Sequence, residues 1–451
     1  MIYDLCIHVG NRINDVEFFL KVKKEFEKYN LNIQLFTEEP IQYFDLLDSE
    51  HIVVLPLKAE KNYSVAENIQ YLSSLGISNF RSLYFTEQKK KQYSEKKSIE
   101  ITNQKINNCR SLYKNVDTAK YYLTFASDEL IVNVFRVFAK QNNGKILYSR
   151  YSVMPERIFI SKSRDFILPK QQINFTEEDK KWANDYIENY TQKKTILWAN
   201  PEDRNPKISQ LFSNYFLKIF NVNKIIKLFA NKRWRIAFFS LKVHTTRLIN
   251  KYLSNFLYSK NCKNQFIYFP LHFPIDSQLT NRALPFLNQS CVVETVSYYL
   301  PFQYTLLVKE HPLARGYSQY LDLKHIANLP NVKLVHPYKN SHDLIKKAKA
   351  IVVINSSVGY EALMYKKPVI TLGKSFYRGH DLTIDIESLY HLKDAFDRVE
   401  NFTVDKSRFI DFVCKIKANT FDIKFSDISE NNEKIISDFV YNLSCYFKNI
   451  N

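Results

Sequence analysis

Glycine is scarce in this chain, with seven among 451 residues. That excludes a dinucleotide fingerprint and a P-loop, both of which need several glycines at fixed spacing where backbone wraps a phosphate. No D-x-D triplet occurs, and no His/Cys set has the spacing of metal ligands. A metal-bridged diphosphate is therefore not expected, and no metal or bound cofactor enters the reading. The six cysteines (Cys6, Cys109, Cys262, Cys291, Cys414 and Cys445) contain no C-x-x-C pair. They read as buried free thiols of a reducing cytoplasm, not as a disulfide framework or a zinc site. No run approaches the roughly 18 to 20 apolar residues needed to span a bilayer. The first residues, Met1-Ile2-Tyr3-Asp4-Leu5, lack the basic region and cleavage site of a secretory signal. The expected compartment is the cytoplasm.

Acidic residues are missing over one long interval: none stands between Asp203 and Asp276, where thirteen basic residues run from Arg204 to Lys263. The whole chain carries 64 Lys+Arg against 46 Asp+Glu, a formal charge of +18, so this interval is where the excess concentrates. Apolar and aromatic residues interleave with the cations, as in Lys232-Arg233-Trp234-Arg235-Ile236-Ala237-Phe238-Phe239. A basic amphipathic helical segment suits an anionic membrane surface, a polyanionic acceptor or nucleic acid. An AT-rich coding bias accounts for many lysines but not for the absent carboxylates. The expected association, through residues 204–263, is with the inner face of the cytoplasmic membrane.

The length suits two domains, and the pattern along the chain is α/β. Strand-like runs at Leu5–Val9, Ile33–Phe36, Ile52–Leu55, Leu83–Phe85, Tyr122–Phe125 and Lys145–Tyr148 alternate with helical patterns at Val16–Tyr29 and Asp128–Lys140. Such alternation implies βαβ units and a parallel sheet. The stretch from Phe175 to Tyr258 reads as helical and increasingly basic. A second alternating series follows, with strands at Phe266–Phe269, Thr305–Lys309, Val332–Val335, Ile351–Ile354 and Pro368–Leu372. The expected architecture is two Rossmann-like lobes with parallel sheets, at residues 1–164 and 263–403. A helical basic insertion at 165–262 separates them, and C-terminal helices follow at 404–451.

Ligands of open parallel sheets bind outside the carboxyl ends of the strands. Four segments of the second lobe follow such ends: Pro270–Asp276, Glu310-His311-Pro312, Asn355-Ser356-Ser357 and Gly373–Thr383. Ser356 and Ser357 stand at a helix start, where free N–H groups favour a phosphate. His311, with Lys309 beside it, can donate to phosphate oxygens. Gly359 allows close approach, and Glu361 can accept ribose hydroxyls. Gly359, Gly373 and Gly379 place three of the seven glycines in this one stretch. Taken singly, Ser356-Ser357 is also an ordinary N-cap and His311-Pro312 an ordinary turn. Their coincidence at one sheet edge favours a nucleotide site. Asp276 is the candidate catalytic carboxylate, as a base or as the group that stabilises or captures an oxocarbenium-like centre. Its competing reading is a residue that starts a helix. His272 either orients the acceptor or packs. Asp128 and Glu129 of the first lobe are the next candidates.

Several of these segments together resemble the capsule polysaccharide biosynthesis family, which includes retaining β-Kdo transferases that use CMP-Kdo. The resemblance rests on Tyr268-Phe269-Pro270-Leu271-His272 with Asp276-Ser277-Gln278, Val308-Lys309-Glu310-His311-Pro312, and Asn355-Ser356-Ser357-Val358-Gly359-Tyr360-Glu361-Ala362-Leu363. Lys367-Pro368-Val369-Ile370, and Phe376-Tyr377 with Leu382-Thr383, complete the series. It implies a GT-B-like fold, a nucleotide-sugar donor (CMP-linked before UDP-linked) held by the second lobe, and a glycan or glycolipid acceptor contacted by the first. It implies donor contacts from His311, Ser356, Ser357 and Glu361, and adds Pro312 and Tyr377 to the donor-side candidates. The chain departs from the pattern at His272, where many members carry glutamine, and at Tyr365-Lys366, which replaces a glycine-containing turn. A nucleotide-sugar epimerase of similar fold is the nearest alternative. A non-catalytic membrane-binding or nucleic-acid-binding protein is the other, although no nucleic-acid motif is present.

Overall fold

The computed structural model describes residues 2–9, 13–38, 52–91, 93–112, 117–127, 129–164, 166–168, 174–193, 234–259, 265–422 and 433–450. Residues 204–233 of the basic interval, with Lys260, Lys263, Asp128 and Cys262, lie outside that set. The chain divides into two compact units, Met1–Pro169 with Lys415–Asn451, and Lys170–Cys414. These limits differ from the sequence-based divisions at 164, 262 and 403. The described part of 165–262 from residue 174 onward and the start of the closing region fall in the second unit, and the rest of the closing region in the first.

The first unit runs β1 (Ile2–His8), α1 (Ile13–Glu27), β2 (Ile33–Glu38), β3 (Ile52–Leu55), α2 (Val65–Ser74), α3 (Phe85–Lys91), α4 (Glu95–Ser111), β4 (Thr118–Phe125), α5 (Leu130–Gln141), β5 (Lys145–Tyr151) and β6 (Arg157–Ser161). Strands β1 to β5 are parallel and lie in the order β3-β2-β1-β4-β5. Successive side chains of a strand face opposite sides of its sheet. Accordingly Leu5 and Ile7 join one core and Cys6 another, with Phe135 and Phe138 of α5.

The second unit holds α6 (Glu177–Lys193), α7 (Trp234–Ser254), β7 (Phe266–Pro270), α8 (Ser277–Thr280), α9 (Gln289–Tyr299), β8 (Thr305–Lys309), α10 (Tyr320–Asn328), β9 (Val332–Val335), α11 (Ser341–Lys347) and β10 (Ala350–Val353). It continues with α12 (Ser357–Met364), β11 (Val369–Thr371), β12 (Ile384–Asp385), α13 (Leu392–Val399) and most of α14 (Lys406–Ala418). Its sheet is wholly parallel, in the order β12-β11-β10-β7-β8-β9. Numbered within the sheet, that is the doubly wound order 6-5-4-1-2-3 of Rossmann folds. Strands β7, β8 and β10 are buried along their whole length, as a sheet covered on both faces requires.

The fold class is as expected: α/β, with two Rossmann-like sheets. Four local readings are corrected. Leu83-Tyr84-Phe85 is not a strand; Asn79 caps a 3-10 turn over Phe80–Leu83, and α3 begins at Phe85. A three-residue apolar run is too short to separate strand from helix by periodicity. The closing region is not purely helical: β13 (Thr420–Asp422) precedes α15 (Glu433–Ile450) and pairs antiparallel with β6. Arg157 fixes that strand, donating to the backbone oxygens of Lys417 and Thr420 at 3.0 and 2.7 Å and pairing with Asp422. The antiparallel β6 was not anticipated, because Arg157–Ser161 follows β5 too closely for a βαβ crossover. Finally, Cys6, Cys109 and Cys414 are buried and form no disulfide, but Cys291 is exposed on α9.

Candidate nucleotide site at the sheet switch point

In a doubly wound sheet the crossovers on either side of the first strand go to opposite faces, and a crevice opens where the order reverses. Here that point lies between β7 and β10, which pair directly through Ala350–Ile267 and Ile351–Tyr268. The loops leaving β7 and β10 therefore flank the crevice, with those after β8 and β11 next to them. These are the four segments expected at the edge.

The β7 loop carries His272 and Asp276. Leu271 N donates to Lys309 O at 2.8 Å, which extends the ladder past the strand end. Gln289 of α9 then clamps the backbone of His272, accepting from its N–H at 2.7 Å and donating to its carbonyl at 3.1 Å. The His272 ring is buried, and its Nε2 has no hydrogen-bond partner among the described residues. Burial pushes this histidine down to about 4, against the opposing pull of Asp276, so the ring is neutral at physiological pH. Asp276 caps α8, its carboxylate accepting from Gln278 N at 3.1 Å and from the Ser277 hydroxyl at 3.3 Å. Its reading as a helix start therefore holds, in the loop that leaves β7 beside the switch point.

After β8, His311 caps the short 3-10 turn Pro312–Ala314, with Nδ1 accepting from Leu313 N at 3.2 Å. That bond assigns the neutral-ring proton to Nε2, leaving it as a donor. Pro312 is the first residue of the turn, where its missing N–H costs nothing. Burial, opposed by Asp276 and assisted by Lys309, lowers the basicity of His311. Asp276 thus acts electrostatically on both histidines, which puts the three groups in one neighbourhood.

The β10 loop completes the edge. Asn355 donates to Gln278 O at 3.0 Å, tying this loop to the one from β7 across the switch point; its own Oδ1 is buried without a hydrogen-bond partner among the described residues. Ser356 is the N-cap of α12, its hydroxyl accepting from Val358 N at 3.2 Å. Ser357, first residue of that helix, is only partly buried.

Other candidates sit beneath this edge. Lys309 is buried and donates to the Ser341 hydroxyl at 2.7 Å. Burial brings it down to about 8, opposed by Glu361. Glu361 lies on the face of α12 turned to the core, and burial raises it to about 7, with Lys309 opposing. These two, expected on phosphate and ribose, act on each other within the core. Gly359 does permit a close approach, but of Tyr377: an added Cβ would lie 2.2 Å from the tyrosine hydroxyl. Tyr377 is itself fully buried and donates to Ser356 O at 2.6 Å, so it braces the helix start from behind. Gln289, the Lys309–Ser341 contact and the Asn355–Gln278 tie were not expected from the sequence, since nothing local marks an amide or hydroxyl that works across distant elements.

The first unit has a separate concavity at the carboxyl ends of β2 and β4. About 330 Å³ is enclosed by residues that include Glu38, Glu87, Glu129, Tyr84 and Lys105, and Lys105 pairs with Glu38. Glu129 immediately precedes α5. Among the described residues no group of three His, Cys, Asp or Glu side chains could hold a metal ion, and no helix is long and apolar enough to cross a membrane.

A family model described as capsule polysaccharide biosynthesis protein matches residues 165–402. The capsule polysaccharide export protein KpsS of Escherichia coli is 30% identical over 118 residues, 24% of this chain and 30% of that protein. Protein FixF of Sinorhizobium fredii is 33% identical over 123 residues, 26% of this chain and 29% of its own. The match thus spans less than a third of either curated relative. Among solved structures, the β-Kdo 2,4 transferase of Thermosulfurimonas dismutans KpsC aligns over 74% of this chain and 96% of its own, at 13% identity and a TM-score of 0.39.

Proposed function

The chain belongs to the capsule polysaccharide biosynthesis protein family, and from that premise we propose that it is a glycosyltransferase working from a nucleotide-sugar donor. The observation that carries the reading is the meeting of His272, Asp276, His311 and the Ser356–Ser357 helix start around one sheet switch point. The donor phosphate lies at the start of α12, taking backbone N–H groups and the Ser357 hydroxyl, with His311 donating from Nε2. The transfer runs without a metal: the leaving nucleotide departs with the bonding electrons, and these fixed donors meet its charge. Asp276 either takes the proton of the acceptor hydroxyl or attacks the anomeric carbon. The donor is CMP-linked, with Kdo the sugar to test first. The acceptor is a surface or capsule glycan or glycolipid, and the acid-free basic interval holds the enzyme to an anionic surface, at the inner face of the cytoplasmic membrane.

A thermal-shift panel of CMP, CDP, UDP and GDP tests the nucleotide assignment directly. CMP should raise the melting temperature most. If none of the four nucleotides stabilises the protein, the site assignment fails. Transfer is then measured with the sugar conjugate of the best nucleotide and a short capsule-type acceptor. Conversion of donor without acceptor would replace the transferase with an epimerase.

A further inference from the structure

The helix α7 lies within the described part of the acid-free interval, and its described side chains from residue 242 onward separate into two faces. One face is docked. The Arg247 guanidinium lies 3.8 Å over the ring of Tyr317. The Asn250 side chain donates to Gly316 O at 3.5 Å and accepts from Tyr320 N at 3.4 Å. Ser254 is buried on the same side. The docking is tight: Gly316 has φ of 85°, and a Cβ there would lie 2.7 Å from Arg247 O, so a glycine is required under the helix. Residues 247, 250, 251 and 254 follow the helical spacing of one face, fixed against α10 and the loop before it.

The opposite face is apolar and open. Ile249, Tyr252 and Phe256 are 57%, 56% and 75% exposed. Phe256 lies in the 3-10 turn Asn255–Leu257 that prolongs the helix, and its ring meets that of Tyr252 edge-on at 5.6 Å. The spacing 249, 252, 256 places all three on one side. Lys242 and the threonines at 245 and 246 are exposed on the same helix. No carboxylate occurs in the chain from Arg204 to Ile275, so nothing in the surrounding sequence offsets the positive charge.

We propose that the Ile249–Tyr252–Phe256 face of α7 is the part of this protein that enters an anionic lipid surface. This rests on the membrane-surface reading above and deepens it by naming the contact. A helix with one apolar, aromatic face and a basic surrounding sequence lies in the interface, its rings at the headgroup level and the exposed Lys242 within reach of the phosphates. Charge selects lipid over the other occupants. A second copy of this chain would bring the same acid-free helix against itself. An acidic protein would be held by the cations, but would leave the apolar stripe without a purpose of its own. Because the opposite side of α7 is locked to the second unit, insertion of the stripe would hold that unit at the surface without altering the crevice residues.

The test is flotation of the intact protein with vesicles of phosphatidylcholine and phosphatidylglycerol in equal parts, and with phosphatidylcholine alone. Wild type should float with the anionic vesicles, less so as salt rises, and not with the neutral ones. The triple variant Ile249→Ser, Tyr252→Ser, Phe256→Ser keeps every charge and should bind anionic vesicles at least about tenfold more weakly, since three exposed apolar groups no longer insert. Its nucleotide thermal shift should stay that of wild type, which shows the fold and the crevice intact. Separately, Tyr252→Trp should show fluorescence quenched by vesicles carrying brominated acyl chains, a signal that purely electrostatic adsorption does not give. Equal vesicle binding by wild type and the triple variant, or no quenching at position 252, overturns the proposal. So does a wild-type dimer that becomes monomeric in the triple variant, which assigns the stripe to a second copy. The nucleotide panel is independent of all these outcomes, so failure here and failure of the transferase reading are told apart.

Discussion

The ring of Tyr377 occupies the space that any side chain at position 359 would need, and its hydroxyl holds Ser356 O at 2.6 Å. One aromatic residue thereby fixes both the glycine and the cap at the start of α12. Gly359→Ala should displace the ring and cost about 1 to 3 kcal/mol of stability through overpacking. Tyr377→Phe removes only the hydrogen bond, at about 1 kcal/mol. In chemical denaturation, Gly359→Ala should cost less in a Tyr377→Ala background than in wild type, the coupling expected of groups in contact. Additive costs would mean that the glycine is needed for something other than this ring.

His311 and Ser357 are the donor-side groups with atoms left to give. Nδ1 of His311 is engaged by Leu313 N, which frees Nε2, whereas Ser356 spends its hydroxyl on Val358 N. His311→Ala and Ser357→Ala should each weaken nucleotide binding by about 1 to 3 kcal/mol with the melting temperature of the free protein little changed. Ser356→Ala should show the reverse emphasis, a loss of about 1 kcal/mol in stability through the missing cap. Calorimetric titration of the best nucleotide, beside denaturation of the free proteins, separates the two patterns. Unchanged affinity in both of the first two variants moves the phosphate elsewhere.

Glu361 gives the fold a pH dependence of defined sign. Its folded value is near 7, against about 4.3 for a free glutamate, so over that window the folded chain keeps a proton that the unfolded chain has lost. The favourable contribution is therefore complete below about pH 4.3 and is lost as pH rises through about 7. Glu361→Gln removes this titration. The unfolding free energy of wild type minus that of the variant should fall by on the order of 2 kcal/mol from about pH 4.5 to about pH 7.5. Lys309 loses its proton only near 8 and stays outside most of that range. A difference flat in pH would mean that Glu361 is ionised in the fold.

Much of this was legible in the sequence where apolar runs were long and strand alternated with helix. The strands at Thr305–Lys309 and Val332–Val335 were visible, and so was the edge they form, because a parallel sheet puts every carboxyl end on one side. What sequence could not supply was the direction of each side chain at that edge. Lys309 and His311 lie two residues apart, yet the first is buried and the second only partly so. Glu361, expected to accept ribose hydroxyls from one turn into the helix, is buried there. Leu83-Tyr84-Phe85 misled for a different reason: three apolar residues carry no period, and Asn79 had already started a helical turn.

Asp276 carries the riskiest expectation, because the structure gives it a stabilising task that a substitution must preserve. Its carboxylate caps α8 through Gln278 N, and Gln278 O in turn receives Asn355 from across the switch point. Removing the side chain would loosen both loops and lose activity for structural reasons alone. Asparagine avoids this, since its side-chain oxygen caps a helix about as well as that of aspartate. Asp276→Asn should therefore keep the melting temperature within a degree or two of wild type, roughly the shift of a few tenths of a kcal/mol, and keep nucleotide affinity. It removes the charge that either chemical role requires, so turnover should fall by about 100-fold or more, with the loss in kcat. His272, which burial pushes down to about 4, is neutral above that pH and is a weaker base than a free histidine. Transfer measured with the best donor, alongside Asp276→Ala as the cap-deficient control, separates charge from cap. An asparagine enzyme that turns over like wild type would send the search for the catalytic carboxylate to the first unit, where Glu129 borders the 330 Å³ concavity beside Glu38 and Glu87.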